Sequence, residues 1–215
     1  MGRKISFKVS DKSGSVTGIY EKSGKGDRLL VLGHGAGAPM HSTGMQLIAE
    51  TLASKGISTL RYNFPYMEKG IKRPDVPAVA QLTVRKAVEK AKSLEPGAKI
   101  YAGGKSFGGR MTSQAESEEL LGVEGLVFYG FPLHAPGRDG LERADHLNKV
   151  KIPMLFLQGT RDALANIALM KKVCKELKKS KLEIIDGGDH SFKVSKTDPN
   201  AVFEKLASRV ANWMK

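Results

Sequence analysis

The stretch "KIYAGGKSFGGR", Lys99 to Arg110, admits two readings of its glycines. Either they cradle a phosphate, with Gly104-Lys105-Ser106 as the end of a P-loop, or they make room for a sharp turn that exposes a nucleophile. Gly104-Lys105-Ser106-Phe107-Gly108 fits the pattern G-x-S-x-G. A P-loop puts its first glycine five positions before the second, and position 99 is a lysine. Phosphate cradling also needs a loop of free backbone N–H groups between strand and helix, whereas Ile100, Tyr101 and Ala102 read as the strand itself. The second reading requires a direct strand-to-helix reversal with small residues two before and two after the serine, because side chains there collide across the turn. Gly104 and Gly108 satisfy this, and Gly109 lets the helix pack closely.

Outward from the turn, apolar runs alternate with helical patterns. "ISFKVS" and "SVTGIY" read as a hairpin joined by "DKSG", and "RLLVLGHG" reads as a strand buried on both faces of a parallel sheet. A helix over Thr43–Lys55 follows, with Met45, Ile48, Ala49 and Leu52 on one side and Gly56 as its stop. Next come the strand "ISTLRYNF", a proline- and glycine-rich loop "PYMEKGIKRPDVP", a helix over Ala78–Leu94 and the strand "KIYAGG". After the helix behind Ser106 come "GLVFYG", a short helical segment near Leu141–Leu147, "IPMLFLQG", a helix over Ala163–Lys179, "KLEIID" and a helix over Ala201–Met214. Alternation with short connections predicts right-handed crossovers and a mostly parallel α/β sheet behind an antiparallel N-terminal hairpin. With no linker or repeat, residues 1–215 read as one domain.

An unassisted serine hydroxyl is a poor nucleophile, so a histidine must take its proton and a carboxylate must fix that histidine's tautomer. In this arrangement they follow in the order Ser, Asp, His, each just past a strand end. Asp162 in "LFLQGTRDAL" and His190 in "IIDGGDHSF" stand at those places. Asp189 adjoins His190 and its side chain diverges from it; Asp186 closes a strand; Asp139 and Asp145 lie near the preceding helical segment. The oxyanion of such chemistry wants two backbone donors. Phe107 N–H is one by its place after the nucleophile, and "HGAGAP" offers Ala36, with Gly37 next, as the other. His34 reads as a residue that organises that loop.

Composition bounds the alternatives. A 215-residue chain that is 40% apolar, with 24 glycines, suits a globular α/β core. No run approaches the roughly 18 apolar residues of a membrane span, and "MGRKISFKVS" lacks a secretory apolar stretch, so a cytoplasmic location is the default expectation. Gly2 and Ser6 match a loose myristoylation pattern, but Ile5, Phe7 and Val9 alternate like a strand. The single Cys174 excludes an intramolecular disulfide, and its register with Met170 and Leu177 makes it a structural thiol. Lys+Arg exceed Asp+Glu by 35 to 22, a net charge of +13. Lys171, Lys172, Lys175, Lys178, Lys179 and Lys181 decorate one helix and its exit, Lys86, Lys90 and Lys92 another. No aromatic residues interleave them, so a solvated basic surface is expected and nucleic-acid binding is not.

With "HGAGAP", "GGKSFGG", "LQGTRDAL" and "GGDHSF" in this order, the sequence resembles the α/β-hydrolase superfamily, and in particular its small dienelactone-hydrolase-like branch. "RYNFPYME" and "GFPLHAPG" are similar to a subgroup akin to the hydrolase-like domain of a histone-acetyltransferase regulatory subunit. The resemblance runs from about Leu29 to the C-terminus. It implies hydrolysis of a carboxylic ester or similar small acyl compound, with Ser106 as nucleophile, His190 as base then acid, Asp162 as orienter and no metal or organic cofactor. An interaction module with weak catalysis is the alternative it leaves. No insertion between "GFPLHAPG" and "IPMLFLQG" is long enough for a lid, so an open, shallow pocket is expected, in a monomer or homodimer without membrane partners. Met40, His41, Tyr66, Met67, His134 and Phe192 lie on loops leaving the carboxyl ends of strands, where such sheets bind ligands. His134 either contacts substrate or braces its loop, and Tyr66 and Met67 could equally close the core. Lys105 and Arg110 flank the nucleophile and read as solvent-exposed residues of the elbow helix, Lys105 as a bystander.

Overall fold

A computed structural model describes residues 2–24 and 26–214. Among them eight strands form one sheet: β1 (Arg3–Ser10), β2 (Gly14–Glu21), β3 (Arg28–Gly33), β4 (Ile57–Tyr62), β5 (Lys99–Lys105), β6 (Leu126–Tyr129), β7 (Met154–Gly159) and β8 (Ser180–Ile185), ordered β1-β2-β4-β3-β5-β6-β7-β8. The β1–β2 and β2–β4 pairs are antiparallel; every pair from β4–β3 to β7–β8 is parallel. This is the α/β-hydrolase arrangement read from the sequence. The chain leaves β3 toward β4 and returns on the other side as β5, so the sheet's direction of growth switches between β3 and β5, where open α/β sheets place ligands.

Among the described residues six α-helices accompany the sheet: α1 (Thr43–Ser54), α2 (Pro65–Glu68), α3 (Pro77–Leu94), α4 (Phe107–Glu118), α5 (Ile167–Glu176) and α6 (Pro199–Trp213), with a 3-10 helix over Asp145–Lys149. Alternate residues of each strand feed opposite faces, as a period of two demands. Leu29 and Val31 of β3, Leu126 and Phe128 of β6, and Phe156 of β7 join Val84 and Val88 of α3 and Met111 of α4. Leu30 and Leu32, Val127 and Tyr129, and Leu155 and Leu157 join Ile48 and Leu52 of α1 and Phe203, Leu206 and Val210 of α6. In β1, Phe7 and Val9 are buried while Lys8 is exposed, so the N-terminus pairs as a strand.

Two elements differ from their sequence-based bounds for visible reasons. The helix expected over Ala163–Lys179 runs only from Ile167 to Glu176. At its start Asp162 Oδ1 accepts from Leu164 N–H and Asn166 Oδ1 caps Ala168 N–H, and at its end Ser180 Oγ donates to the carbonyls of Cys174 and Leu177. The expected loop after β4 contains the single-turn α2, with Pro65 at its first position and Met67 and Glu68 N–H donating to Phe64 O. Lys171, Lys172, Lys175, Lys178, Lys179 and Lys181 are exposed, and Cys174 is half-buried with its thiol pushed up to about 11 by desolvation. Among the described residues no helix is long and apolar enough to cross a membrane.

Backbones approach closely where β3, β5 and α4 meet. A Cβ on Gly108 would stand 2.2 Å from Gly33 O and 2.3 Å from Gly33 C, both backbone atoms with nowhere to go. We expect Gly108→Ala to cost about 3 kcal/mol in urea unfolding, whereas Gly44→Ala, in the first turn of α1 with nothing within 4 Å of the added methyl, gains about 0.5 kcal/mol. Equal midpoints for the two variants would contradict this packing account.

Candidate active site

The reversal at Ser106 is direct. Lys105 ends β5, Phe107 begins α4, and Ser106 between them holds φ 50° and ψ −112°, a left-handed conformation rare for a residue with a side chain. Backbone bonds over-determine it: Ser106 N–H donates to Tyr129 O (3.1 Å), Arg110 N–H to Ser106 O (3.0 Å) and Gly108 N–H to His34 O (3.1 Å). Serine is a favoured helix N-cap, yet here its side chain caps nothing and makes no hydrogen bond among the described residues. The hydroxyl is uncommitted, at the positive end of a helix dipole.

Asp162 and His190 come together across the exits of β7 and β8. His190 Nδ1 lies 2.8 and 2.9 Å from the two carboxylate oxygens of Asp162, whose side chain is fully enclosed while that of His190 is 25% exposed. Gln158 Nε2 also donates to Asp162 Oδ2, and Leu164 N–H to Oδ1 at 2.8 Å. With Nδ1 turned to a carboxylate, the imidazole keeps Nε2 for other work. The structure joins this pair but does not close a hydrogen bond from Ser106 to His190. The other acids hold turns: Asp189 Oδ1 accepts from Ser191 and Lys193 N–H, and Asp186 Oδ1 accepts from Thr160 Oγ1. Gly130 at the exit of β6 was not singled out from the sequence; a Cβ there would sit 3.4 Å from His190 Nδ1 and 3.5 Å from Asp162 Oδ2.

The loop Gly35–Gly37 beside the nucleophile is held by its carbonyls. His34 Nδ1 donates to Gly35 O (2.7 Å) and Nε2 accepts from Phe64 N–H (3.1 Å); Tyr66 Oη donates to Ala36 O (2.9 Å) and reaches Gly35 O (3.4 Å). In a trans peptide the C=O and the following N–H point opposite ways. Pinning the Gly35 and Ala36 carbonyls against the protein therefore aims the amides of Ala36 and Gly37 outward, and both residues are exposed. Among the described residues neither amide, nor that of Phe107, has a backbone acceptor. A Cβ placed on Gly35 would be 3.9 Å from Ser106 Cβ, so this loop borders the serine directly.

Several expected pocket residues act from behind the surface. Tyr66, Phe192, His134 and Met40 are 2, 2, 3 and 5% exposed, whereas His41 is open and Met67 partly so. Tyr66 braces the loop just described, and Phe192 packs on Tyr129 and Phe203. His134 is a brace: Nδ1 donates to Ala135 O (2.9 Å) and Nε2 accepts from Asn166 N–H (2.8 Å). Met40 N–H donates to Asn63 Oδ1. The reading of Lys105 as an exposed helical bystander is corrected. It belongs to β5, is largely enclosed, and its Nζ donates to His190 O. Arg110 is half-buried, and its enclosed Nε has no hydrogen-bond partner among the described residues. Among the described residues no three His, Cys, Asp or Glu side chains converge as a metal site would require.

Comparisons with known proteins agree with this fold. A family model described as "Alpha/beta hydrolase domain" matches residues 26–215. A dienelactone hydrolase from Anabaena variabilis is 20% identical over 99% of this chain and 96% of its own, with a TM-score of 0.77. A serine hydrolase without a lid from Xanthomonas campestris is 17% identical over 98% and 92%, with a TM-score of 0.77. Est1E from Butyrivibrio proteoclasticus, with ferulic acid bound, is 19% identical over 93% and 94%, at 0.74. At such identities the likeness is one of fold.

His34 gives the site a pH signature. Burial lowers its pKa from 6.5 to about 4, so between those values the unfolded chain binds a proton the folded one refuses. Stability falls as pH drops through that window, by up to about 3 kcal/mol for this group. His146, bonded to Ser113 Oγ and lowered to about 4 mainly by burial, acts in the same window. In urea unfolding at pH 7 and pH 4.5 the wild type loses more stability than His34→Gln; parallel slopes would refute the assignment.

Proposed function

The chain belongs to the alpha/beta-hydrolase family, and we propose that residues 1–215 act as one serine hydrolase domain that cleaves a carboxylic ester or related small acyl compound. The observation that carries this reading is the Ser106 turn: a left-handed serine that starts a helix without capping it, beside outward-facing amides. Its hydroxyl is left for chemistry at a strain of about 1–3 kcal/mol.

In the proposed reaction His190 Nε2 takes the proton of Ser106 Oγ as the oxygen attacks the acyl carbonyl carbon. Asp162 holds the imidazole in the tautomer that exposes Nε2 and stabilises the imidazolium that forms. The carbonyl oxygen becomes an oxyanion received by the amides of Phe107 and Ala36, with that of Gly37 alongside; a single such donor is worth about 3 kcal/mol in the transition state. His190 then returns the proton to the leaving alkoxide, water attacks the acyl-enzyme by the same base, and Ser106 is released. Among the described residues no lid covers these groups, so the reading favours short or exposed acyl chains over long lipid chains. His41, which is open, and Met67, which is partly so, are proposed to touch the acyl group, with Tyr66, His134, Met40 and Phe192 supporting the loops that carry them.

Wild-type protein is expected to hydrolyse short-chain p-nitrophenyl esters and to take up a fluorophosphonate label, both lost in Ser106→Ala. Asp162→Asn is expected to lower kcat by about 10⁴-fold and to slow labelling along with it, since the amide favours the wrong tautomer for either attack. A folded wild type, checked by circular dichroism, that neither turns over these esters nor labels would sink the enzyme reading and favour an interaction module.

A further inference from the structure

We propose that Lys105, the residue before the nucleophile, is a positioning residue whose ammonium ties the His190 loop to the Ser106 turn. The inference rests on the hydrolase reading and adds to it a residue outside the Ser106, His190 and Asp162 set.

Lys105 is the last residue of β5 and Ser106 follows it in the turn, so both adjoin the same loop. The Lys105 stem runs past Gly35, where a Cβ would lie 3.7 Å from Lys105 Cγ. Its Nζ donates to the backbone carbonyl of His190 and stands 5.9 Å from the centroid of the Phe192 ring. That carbonyl belongs to a tight turn: Phe192 N–H donates to Asp189 O (2.9 Å), and Phe192 holds a left-handed φ of 61°. One cation therefore reaches from the nucleophile's own strand to the backbone of the residue that must take its proton. The charged groups that act on it are Asp162 from the exit of β7 and Asp189 from the exit of β8; Tyr129 of β6 is its partner in strand register.

A buried ammonium is costly to keep, and desolvation pulls Lys105 from 10.5 down to about 8, with Asp162 and then Asp189 opposing the shift. This separates positioning from stability. Between about pH 8 and 10.5 the unfolded chain holds a proton that the folded chain has lost, so the Lys105 contribution to stability rises with pH there. The tether changes in the opposite sense, because a charge-assisted bond is roughly twice as strong as a neutral one. Catalysis is therefore expected to decline through about pH 8 while stability from this group does not.

The test compares wild type, Lys105→Met and Lys105→Arg by steady-state kinetics on p-nitrophenyl butyrate, by thermal unfolding, and by NMR of ¹⁵N-histidine-labelled protein. Lys105→Met should lower kcat about ten- to a hundredfold with KM little changed and with no fall in Tm. Lys105→Arg should recover most of that loss and remove the alkaline decline. The wild-type His190 ring signals should show an inflection near pH 8 that neither variant shows. Wild-type kcat in Lys105→Met, or His190 signals without that inflection in the wild type, would overturn the proposal. The NMR readout needs no turnover: absence of esterase activity would remove the hydrolase reading and leave the Lys105 tether to be decided by the titration. Should Lys105→Met not fold, the inflection in wild type and its absence in Lys105→Arg still decide.

Discussion

Everything at the carboxyl edge of the sheet depends on how closely Gly33 approaches the turn after β5. Added Cβ atoms on Gly104 and Gly108 would each stand 2.2 Å from Gly33 O, so three backbones meet at one point with no side chain between them. That contact lets α4 start directly at the strand end, which puts Ser106 into a left-handed conformation. It also carries the exit of β3 to the serine's flank, where Gly108 N–H takes the carbonyl of His34. Enlarging any of the three glycines separates the nucleophile from the amides beside it, so a packing constraint and a chemical one coincide.

From that contact outward, the site is built by fixing backbone groups that do no chemistry. His34 and Tyr66 spend their polar atoms on the carbonyls of Gly35 and Ala36, and Phe64 and Phe107 close around them with ring centroids 5.2 Å apart. The result is a rigid loop whose free amides face solvent. Burial keeps the His34 ring neutral at physiological pH, and neutrality is what lets Nε2 accept from Phe64 N–H. A protonated His34 would offer that amide no acceptor, so the orientation of the exposed donors is linked to the charge of a histidine with no surface of its own.

The sequence made the sheet, the strand-end placement of Ser106, Asp162 and His190, and the bracing role of His34 legible, because each follows from local rules. Strand period, glycine spacing and chain order need no knowledge of distant contacts. What was not legible depends on side-chain direction after long crossings. Lys105 looked exposed because none of its neighbours in the chain covers it; the Gly35 loop and the loop after β8 do. Tyr66, Met40, His134 and Phe192 sit on the right loops but face inward, and a position at a strand's carboxyl end does not specify which way a side chain turns. The shorter α5 was hidden for a related reason. Its true start is set by Asn166 and its true end by Ser180, polar residues whose partners are fixed by tertiary packing.

The enclosed carboxylate of Asp162 explains why so many groups around it are polar. An ion with no solvent contact is retained only if its lone pairs are met. His190 Nδ1, Leu164 N–H and the amide of Gln158 meet them. The arrangement is not free of cost, because Gln158 commits its Nε2 to the acid and leaves its own enclosed Oε1 without a hydrogen-bond partner among the described residues. Lys105 supplies a positive charge in the same neighbourhood while sending its proton donor to the backbone of His190 rather than to the acid. The cation therefore does not compete with the histidine for the carboxylate. A lysine bonded to Asp162 would take over lone pairs that hold the imidazole; one bonded to the carbonyl behind His190 leaves the ring's contact intact and fixes the chain that bears it. The difference lies in which atom receives the ammonium, and the turn after β8 decides it by presenting a carbonyl where the acid is already occupied.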